Sequence, residues 1–265
     1  MNIQTKVKNT LKKIKLNKKE KIVVALSGGK DSTLTAYFLK KFGYNIKGFH
    51  IGLGLGDYSK KCLKAVKKLC DDLKIKLVVY DFKKEHGSSM CFLRTTIQSR
   101  KSLKNCAICG VIKKWILNKQ ARRLKASKIA TGHNLDDEAQ TFLMNILKGC
   151  PELSSNTGII SKNISDKKFI PRIKPLFYVP EDEIRKFTKT KKLPVVYEKC
   201  PCRGESYRVE TINFLKDFSE KDKKNLVKNI MAISKKEIKE EMIYCEICGE
   251  PARGRVCKRC ELLRR

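Results

Sequence analysis

The sequence has no run of about 18 apolar residues, and this absence excludes a membrane-spanning helix. The basic N-terminus also has no apolar stretch of the kind that a secretory signal peptide requires. Together these absences predict a cytoplasmic protein without a membrane partner. With 265 residues, 41% of them hydrophobic, the chain is long enough for one α/β domain and a smaller appendage.

Acidic residues are scarce relative to basic ones. Lys and Arg together number 60 and Asp and Glu 27, which gives a formal net charge of +33. Such an excess produces a positive field that attracts polyanions, so it favours nucleic acid as a partner. A lysine-rich proteome produces the same composition without any such partner, and the motifs must distinguish the two.

Disulfides are not expected, because cysteines stay reduced in the cytoplasm. The chain nevertheless has 12 cysteines, and in a reducing compartment this number indicates metal binding. Three pairs have the spacing C-x-x-C: Cys106 with Cys109, Cys245 with Cys248, and Cys257 with Cys260. Cys200 and Cys202 flank Pro201. The others stand alone and are expected to be small buried hydrophobic residues: Cys62, Cys70, Cys91 and Cys150.

Apolar strand-like runs alternate with helical patterns over the first 150 residues. Strands are predicted at 21–26, 45–51, 74–82 and 127–132, and a further strand-like segment at 191–199. Residues 91–125 are predicted to be helical around the central cysteines, and residues 151–169 to form a polar loop. This alternation predicts an α/β fold, a parallel sheet with helices on both faces. Residues 4–20 fit a basic, partly amphipathic helix with Val7, Leu11, Ile14 and Leu16 as its contacts. The predicted organisation is a basic N-terminal helix (1–20), the α/β domain (21–208), a charged helical region (209–240) and a four-cysteine unit (241–265).

The stretch SGGKDS, Ser27 to Ser32, follows the first predicted strand and opens a helix. Backbone N–H groups in such a turn converge on one point and bind an anion, assisted by the helix dipole. Gly28 and Gly29 let the backbone approach a phosphate, Lys30 adds a positive charge, and Ser27 and Ser32 add hydroxyl donors. Asp31 is placed to bind Mg²⁺ or to cap the helix. The spacing matches neither the Walker nor the Rossmann pattern, and the alternative is an ordinary β–α turn.

A second turn of this kind is TGHNLDDEAQT, Thr131 to Thr141. Asn134 is predicted to cap the helix that follows. Asp137, the third helical residue, is predicted to accept a hydrogen bond from the backbone N–H of Asn134 in return. This local role accounts for the acidic residues without any chemistry. It does not account for Gly132 and His133.

The stretch VALSGGKDS resembles the PP-loop of the ATP pyrophosphatase family, and GHNLDD resembles the GHN-x-D-D motif of its tRNA-modifying members. The resemblance covers roughly residues 20–210 and implies an adenine nucleotide alpha hydrolase-like fold. It also implies that ATP and Mg²⁺ bind at Ser27–Ser32 and that Gly132 and Asn134 contact ATP. Asp137 would then lie near the metal or the reacting base, and the loop from His50 to Ser59 would border the adenosine.

The segment around Cys106 and Cys109 resembles the central C-x-x-C of the tRNA thiolation branch of this family. By that resemblance Cys106, Cys109 and Cys200 hold a 4Fe–4S cluster, and one iron without a protein ligand remains for sulfur. Cys202 is an alternative third ligand, and if both bind, no iron stays open. From the residues alone, half a zinc site, a redox pair and a persulfide relay on Cys109 and Cys200 also remain open.

The last residues contain two C-x-x-C pairs separated by eight residues. This spacing predicts a closed zinc site, a small ribbon with four ligands: Cys245, Cys248, Cys257 and Cys260. The 2-thiouridine enzymes that the chain resembles carry a second ribbon at the N-terminus, which this sequence lacks. That departure leaves the target nucleotide undetermined.

The combined prediction is an ATP-dependent tRNA 2-thiouridine synthetase that adenylates the uridine C2 oxygen, releases pyrophosphate and then transfers sulfur from the cluster. The partners expected are tRNA, a sulfur donor (sulfide, a desulfurase or a ubiquitin-like thiocarboxylate protein) and a second copy of the chain. Three alternatives are kept: a 2-thiocytidine synthetase, an adenylating amide-forming enzyme, and a non-catalytic RNA-binding or sulfur-carrier protein. The position of the modified nucleotide is left open.

Overall fold

The structure, a computed structural model, describes residues 1–156, 158–161, 166–203, 207–233 and 242–264. Within these residues, six strands form the main sheet: β1 (Ile22–Ala25), β2 (Ile46–Gly52), β3 (Leu77–Asp81), β4 (Lys128–Ala130), β5 (Ile160–Ser161) and β6 (Arg172–Ile173). Their order is β3-β2-β1-β4-β6-β5, and all neighbours are parallel except β5, which pairs antiparallel with β6. None of the described helices is long and apolar enough to cross a membrane.

The helices connect these strands as predicted, with different boundaries in places. The first eight are α1 (Ile3–Ile14), α2 (Lys30–Lys41), α3 (Gly56–Asp72), α4 (Phe82–His86), α5 (Met90–Gln98), α6 (Asn105–Arg123), α7 (Leu135–Leu147) and α8 (Glu181–Thr190). Two more, α9 (Tyr207–Phe214) and α10 (Glu220–Ile233), follow, and the C-terminal unit contains β7 (Ile243–Tyr244), β8 (Pro251–Ala252) and α11 (Lys258–Leu263).

The sheet is covered on both faces, which confirms the predicted fold class. Side chains alternate along a strand, so Ile22 and Val24 of β1 enter one apolar cluster and Val23 enters another. The first cluster includes residues of α1, α2, α3 and α8, and the second includes residues of α5 and α6. Near-continuous apolar strands are typical of such a two-sided sheet.

The N-terminal helix is shorter than predicted and belongs to the core. It ends at Ile14 because Lys15 adopts the left-handed conformation, with φ of 55°, and its N–H bonds back to carbonyls of the last turn. Val7 and Leu11 are almost fully buried. The Nζ of Lys6 contacts Glu183 of α8 and, at 2.9 Å, Glu220 of α10. This basic helix is therefore packed by its apolar face against the α/β domain.

Two other predictions on secondary structure are wrong. The segment predicted as one helix around the central cysteines is two helices, α5 and α6, separated by residues 99–104. The strand-like segment at 191–199 contains no strand, although the N–H of Val196 donates to the carbonyl of Gly28. The predicted polar loop at 151–169 contains β5 within its described part, and the charged region at 209–240 is described only to residue 233.

Candidate nucleotide and sulfur site

The sheet order places the SGGKDS turn at the point where the chain reverses its direction of winding. β2 and β3 lie on one side of β1, and β4 and β6 lie on the other. In open α/β sheets ligands bind outside the carboxyl ends of the strands at this switch point. The turns after β1 and β4 both open there, and each begins a helix.

The SGGKDS turn is held in shape by its own hydroxyl groups. The hydroxyl of Ser32 accepts from the N–H of Ser27 at 3.1 Å and donates to the carbonyl of Gly29 at 3.0 Å, and the Ser27 hydroxyl accepts from the N–H of Gly29 at 3.3 Å. Gly28 has a φ of +86°, and a Cβ there would lie 3.0 Å from the backbone of Cys62. A glycine is therefore needed at Gly28 both for its conformation and for space.

Lys30 and Asp31 form a charged pair at the opening of α2. The Nζ of Lys30 lies 2.8 Å from Asp31 and 2.9 Å from Glu181 of α8. Burial opposes the charge of Lys30, but the two carboxylates outweigh it, and the pKa of Lys30 is raised. Asp31 does not cap the helix, because the N-cap residue is Gly29. Its other carboxylate oxygen accepts from the Nδ2 of Asn134 at 2.9 Å.

The turn after β4 contacts the SGGKDS turn directly. A Cβ on Gly132 would lie 2.7 Å from the backbone of Asp31 and Ser32, so the absence of a side chain permits the contact. Asn134 caps α7 in the predicted capping box: its Oδ1 accepts from the N–H of Asp137 at 3.0 Å, and its own N–H donates back to Asp137. Asn134 therefore caps α7 and contacts Asp31 at the same time.

The two consecutive aspartates of this turn face different partners. Asp136 accepts from the N–H of Glu181 at 2.7 Å and pairs with Lys223 of α10 at 2.8 Å, so its role is to hold neighbouring helices. Asp137 faces the SGGKDS turn. Burial, and then the charge of Asp31, raise the pKa of Asp137 to about 6, which marks it as the carboxyl most affected by the cleft.

His50 is placed differently from the other predicted ligands of the nucleotide. Its side chain is 3% exposed, and its Nδ1 lies 2.8 Å from the carbonyl of Leu26 at the end of β1. Burial lowers the pKa of His50, and its Nε2 has no hydrogen-bond partner among the described residues. In this arrangement His50 supports the strand beneath the turn, and its contact with adenosine stays a prediction.

Five cations line the cleft beside these turns, on four different parts of the chain: Lys114, Arg172, Lys174, Arg208 and Arg253. We call them the cleft cations. Desolvation, and then the charges of Arg172, Arg253, Arg208 and Lys174, lower the pKa of Lys114. Desolvation and four of the same cations also lower the pKa of His133, which keeps that ring neutral.

Only some of the cleft cations have acidic partners. Lys174 is paired with the buried Glu138 at 2.7 Å, and Arg208 lies 3.5 Å from Asp137. Across the described part of the chain, no carboxylate lies within ion-pair distance of the others, Lys114, Arg172 and Arg253. Mutually repelling cations without counterions indicate a site for an anionic ligand.

The central cysteines begin α6, whose N-terminus lies at the same edge of the sheet. Cys106 is exposed, Cys109 is buried and Cys200 is half-buried. Burial raises the pKa of Cys109, the charges of Lys113 and Arg94 oppose this, and the nearby sulfurs of Cys200 and Cys106 add to it. The predicted cluster ligands are therefore neighbours. Lys113 follows Cys109 by four residues, one helical turn, a spacing from which its position was predictable.

Three sulfurs that bind different irons of a cluster lie further apart than the ligands of one ion. The described ranges contain one close group of possible ligand atoms, that of Cys245, Cys248, Cys257 and Cys260, and the central cysteines do not form another. The donor chemistry of the three thiols of Cys106, Cys109 and Cys200 fits an iron–sulfur cluster. Their role as its ligands stays a prediction.

Cys202, the alternative third ligand, contacts Cys91 and Arg94, and its role at the cluster stays a prediction. Its sulfur lies 3.9 Å from that of Cys91 and accepts from the Nη2 of Arg94 at 2.9 Å. Burial, followed by the hydrogen bond to Cys202, raises the pKa of Cys91. The expectation that Cys91 stands alone is therefore wrong, because folding brings α5 against the segment after Pro201.

The C-terminal cysteines form a compact group of possible metal ligands. The sulfurs of all four lie within 4.8 Å of one another, and those of Cys248 and Cys257 are 3.6 Å apart. A tetrahedral ion with metal–sulfur bonds of about 2.3 Å separates its ligands by about 3.8 Å, so the residues fit zinc. The unit docks on α6: Arg122 pairs with the buried Glu250, and the guanidinium of Arg259 lies 4.4 Å from the ring of Trp115.

These features define an α/β protein with a glycine-containing turn of the phosphate-binding type at the switch point of its sheet, beside a cysteine-bearing helix and a docked four-cysteine ribbon. Residues 1–200 match the family model described as the PP-loop domain. The chain is 37% identical to the tRNA-5-methyluridine(54) 2-sulfurtransferase of Pyrococcus horikoshii, covering 97% of this chain and 83% of that one. It is 33% identical to the tRNA 2-thiolation protein NcsA of Haloferax volcanii, covering 91% and 81%.

Among solved structures, the U34-tRNA thiolase NcsA of Methanococcus maripaludis, determined with its [4Fe-4S] cluster, superposes with a TM-score of 0.81 at 28% identity. The match covers 98% of this chain and 85% of that one. The chain therefore belongs to the PP-loop family and, within it, to the tRNA 2-thiolation branch, which confirms the resemblance noted from its motifs.

Proposed function

We propose that this protein is a tRNA 2-thiouridine synthetase that activates the base with ATP and replaces its C2 oxygen with sulfur. The observation that carries the proposal is the contact between the two turns, in which Asn134 binds Asp31 and Gly132 packs on the same backbone. This contact joins the PP-loop to the GHN motif in one cleft, and the cysteine-bearing N-terminus of α6 opens at the same edge. The similarity to tRNA thiolation proteins supplies the substrate class.

In the first step, the PP-loop and Lys30 would hold the β- and γ-phosphates of ATP, and Asp31 and Asp137 would hold Mg²⁺. The uridine O2 attacks the α-phosphorus, the bond between the α- and β-phosphates breaks, and pyrophosphate leaves. Oxygen becomes part of an adenylate, which is a far better leaving group than the carbonyl oxygen itself. The cleft cations bind the negative charge of the nucleotide and of the RNA backbone.

In the second step, a sulfide sulfur attacks C2, the bond between C2 and the adenylated oxygen breaks, and AMP leaves. Sulfur enters and leaves this step at the same oxidation state. Cys106, Cys109 and Cys200 would hold the 4Fe–4S cluster, which supplies an iron without a protein ligand as the place for the sulfur. The four ribbon cysteines would hold Zn²⁺ and keep Arg253 at the cleft.

The nearest test is thiolation by the anaerobically purified chain, with ATP, Mg²⁺, sulfide and tRNA from cells that lack it. Pyrophosphate release and thionucleosides are both measured, and sequenced fragments locate the modified position at 34, 54 or elsewhere. Asp31→Asn is expected to abolish both signals. Cys200→Ser is expected to keep tRNA-dependent pyrophosphate release and to lose the thionucleoside, and Cys150→Ser serves as the matched control.

Each alternative has its own outcome in this experiment. Thiocytidine in place of thiouridine identifies a 2-thiocytidine synthetase. Pyrophosphate release that Cys200→Ser leaves unchanged, with no thionucleoside formed even by the wild type, indicates an adenylating amide-forming enzyme that needs no cluster. Absence of pyrophosphate release in the presence of tRNA indicates a non-catalytic binding protein. The homodimer, the sulfur donor and the cytoplasmic location remain predictions.

A further inference from the structure

Two phenylalanines at the end of α9 expose their rings to solvent side by side. Phe214, the last residue of α9, is 61% exposed, and Phe218 in the following turn is 42% exposed. Their ring centroids lie 5.3 Å apart, with the ring planes inclined by 40°. Among the described residues, no other pair of contacting aromatic rings has both members exposed. Single exposed apolar side chains are normal, so the adjacency of the two rings is the feature to explain.

The backbone that carries the two rings is held in place on both sides. Leu215 is buried in the apolar cluster that includes residues of α7 and α10, and its carbonyl accepts from the N–H of Phe218 at 3.3 Å. At the start of α10, the N–H of Asp222 donates to the hydroxyl of Ser219, and the N–H of Ser219 donates to the carboxylate of Asp222, both at 3.2 Å. The rings therefore project from a fixed turn, which reduces the entropy lost when a ligand covers them.

The opposite end of α9 lies in the nucleotide cleft. Arg208, one of the cleft cations, donates to the hydroxyl of Thr141 at 3.2 Å and lies 3.5 Å from Asp137. Phe214 follows Arg208 by six residues, about 9 Å along the helix axis at about 1.5 Å per residue. This distance equals about two or three steps of a stacked nucleic acid strand, at about 3.4 Å per step. A strand with one base in the cleft can therefore place a neighbouring base on the rings.

The size of the exposed surface favours one planar group over a second protein. A phenylalanine side chain has about 200 Å² of surface, so the two rings together expose roughly 200 Å². Each partner in a stable protein interface buries about 800 Å². Lys216 and Asp217, which stand between the two rings in the chain, are both exposed and interrupt the apolar surface. Exposed aromatic faces beside cations are typical of sites for unpaired nucleobases.

We propose that Phe214, packed against Phe218, stacks on an unpaired base of the tRNA that lies within about three nucleotides of the reacting uridine. The inference rests on the proposed function, which supplies the tRNA and places the uridine in the cleft. A base held on these rings is withdrawn from the stack of its loop, and this frees the neighbouring uridine to enter the cleft. Every base has an aromatic face, so the rings position the loop without reading its sequence.

Two lysines beside the rings are available for the phosphates of the same strand. Lys216 and Lys221 are exposed, and across the described part of the chain no carboxylate lies within ion-pair distance of either. Together with Arg208 they continue the positive charge of the cleft cations along α9 and into α10. The rings thus lie next to the positively charged cleft, which binds the negative charge of the RNA backbone in the proposed function.

The test measures tRNA binding by the full-length chain, purified anaerobically with its metals, in filter binding without ATP. The RNAs are an intact tRNA transcript and a series in which one abasic nucleotide replaces, in turn, each nucleotide of the loops that contain positions 34 and 54. One abasic position is expected to weaken binding by the wild type at least fivefold through the lost stacking. Phe214→Ala should weaken binding of the intact transcript by a similar factor and become insensitive to that position alone.

Two further substitutions at the same position separate stacking from packing. Phe214→Trp keeps an aromatic face and is expected to bind at least as tightly as the wild type, whereas Phe214→Leu keeps only an apolar side chain and should behave as Phe214→Ala. The slope of log affinity against log salt should not change in Phe214→Ala, because no phosphate contact is lost. Val79→Ala removes a 42% exposed apolar side chain from the edge strand β3 and serves as the matched control.

Equal sensitivity of the wild type and Phe214→Ala to every abasic position would overturn the inference. So would wild-type affinity of Phe214→Leu. If the rings instead contact a second copy of the chain, Phe214→Ala should lower the mass of the protein in sedimentation and leave its sensitivity to the abasic positions unchanged, which also overturns the inference.

These readouts need neither ATP nor sulfur transfer, so they separate the stacking site from the proposed reaction. Coupling between Phe214 and one base, in a protein that releases no pyrophosphate and forms no thionucleoside, refutes the proposed reaction alone. Thiolation by an enzyme without this coupling refutes the stacking site alone. A wild-type protein that does not bind tRNA refutes both.

Discussion

Gly132 shows how one residue without a side chain joins two distant segments. The position at which its Cβ would stand is 2.7 Å from the backbone of Asp31 and Ser32, and its φ lies outside the left-handed range. The requirement is therefore space for another backbone and not an unusual conformation. Atoms of a main chain at a helix N-terminus move less readily than the end of a side chain.

Gly132→Ala is expected to push the two turns apart and to cost about 1–3 kcal/mol of unfolding free energy. ATP-dependent pyrophosphate release should fall at least tenfold, because Asp137 and the groups of the SGGKDS turn lose their relative positions. Urea unfolding and pyrophosphate assays measure the two effects. Gly254→Ala is the control, since no atom lies within 4 Å of its Cβ position. Normal activity of the Gly132→Ala variant would show that the contact does not matter.

Asp137 makes the stability of the protein depend on pH. Its pKa of about 6 lies above the ordinary 3.8 because burial and the charge of Asp31 disfavour the ionised form. A carboxyl whose pKa is raised by folding destabilises the protein above its folded pKa. This cost grows as the pH rises from about 4 to about 6 and disappears below the unfolded value.

Asp137→Asn is therefore expected to stabilise the ligand-free protein by about 1 kcal/mol at pH 7.5. A shift of two units in a dry site corresponds to about 3 kcal/mol, but this side chain is 32% exposed and also loses its pairing with Arg208. The gain should vanish at about pH 3, below the unfolded value of 3.8, where Asp137 is neutral in both the folded and the unfolded state. Urea denaturation at the two pH values measures it, and an equal difference at both would contradict the assignment of the charge.

At the scale of elements, α6 connects the parts of the site. Its first two turns carry the central cysteines, its middle carries Lys114 and Trp115, and its last turns hold Arg122 against the ribbon. Trp115 is the only tryptophan of the sequence. Its ring packs against the ribbon cysteines and Arg259, so its fluorescence reports on the docking of the ribbon.

Removal of the ribbon metal is expected to unfold the ribbon, because four buried thiols provide little apolar core without an ion. Trp115 emission should then shift to longer wavelength and return when Zn²⁺ is added. Cys248→Ser should show the shifted spectrum without chelator, and Cys150→Ser should behave as the wild type. An unchanged Trp115 spectrum in metal-free protein would mean that docking does not depend on the metal.

At the scale of the whole molecule, the distribution of the positive charge over the surface matters as well as its total. Acidic residues are used in pairs that hold helices together, such as Glu183 and Glu220 on Lys6, or Asp136 on Lys223. The cleft cations without carboxylate partners remain for an external anion. A net charge of +33 attracts any polyanion, whereas the arrangement of the cleft cations determines where on the protein a polyanion binds.

Affinity for tRNA is expected to fall about a thousandfold between about 50 and 200 mM salt, if about six phosphates are contacted. Lys114→Gln and Arg253→Gln should each reduce the slope of log affinity against log salt by about one. Lys68→Gln, on α3 and paired with Asp72, should leave the slope unchanged. Filter binding at several salt concentrations measures these slopes, and equal effects of all three changes would show that only the net charge matters.

Local sequence determined much of this protein. The SGGKDS turn, the capping box of Asn134 and Asp137, and the spacing of the ribbon cysteines each depend on residues close together in the chain. The alternation of apolar strands with helices likewise specified the parallel sheet, because each strand had to be buried on both faces. The resemblance of two short motifs to the PP-loop family was confirmed. Each motif lies in one continuous strand, turn and helix, so its structure also depends on residues close together in the chain.

Only the tertiary structure decided which residues distant in the sequence contact these motifs. The contact of Gly132 with Asp31, the separate partners of Asp136 and Asp137, and the pairing of Cys91 with Cys202 join residues up to 111 positions apart. No local pattern encodes such neighbours, because they depend on strand order and on how helices pack. The same reason explains why the basic N-terminal helix belongs to the core: its charge was visible in the sequence, whereas the surface that its apolar face covers was not.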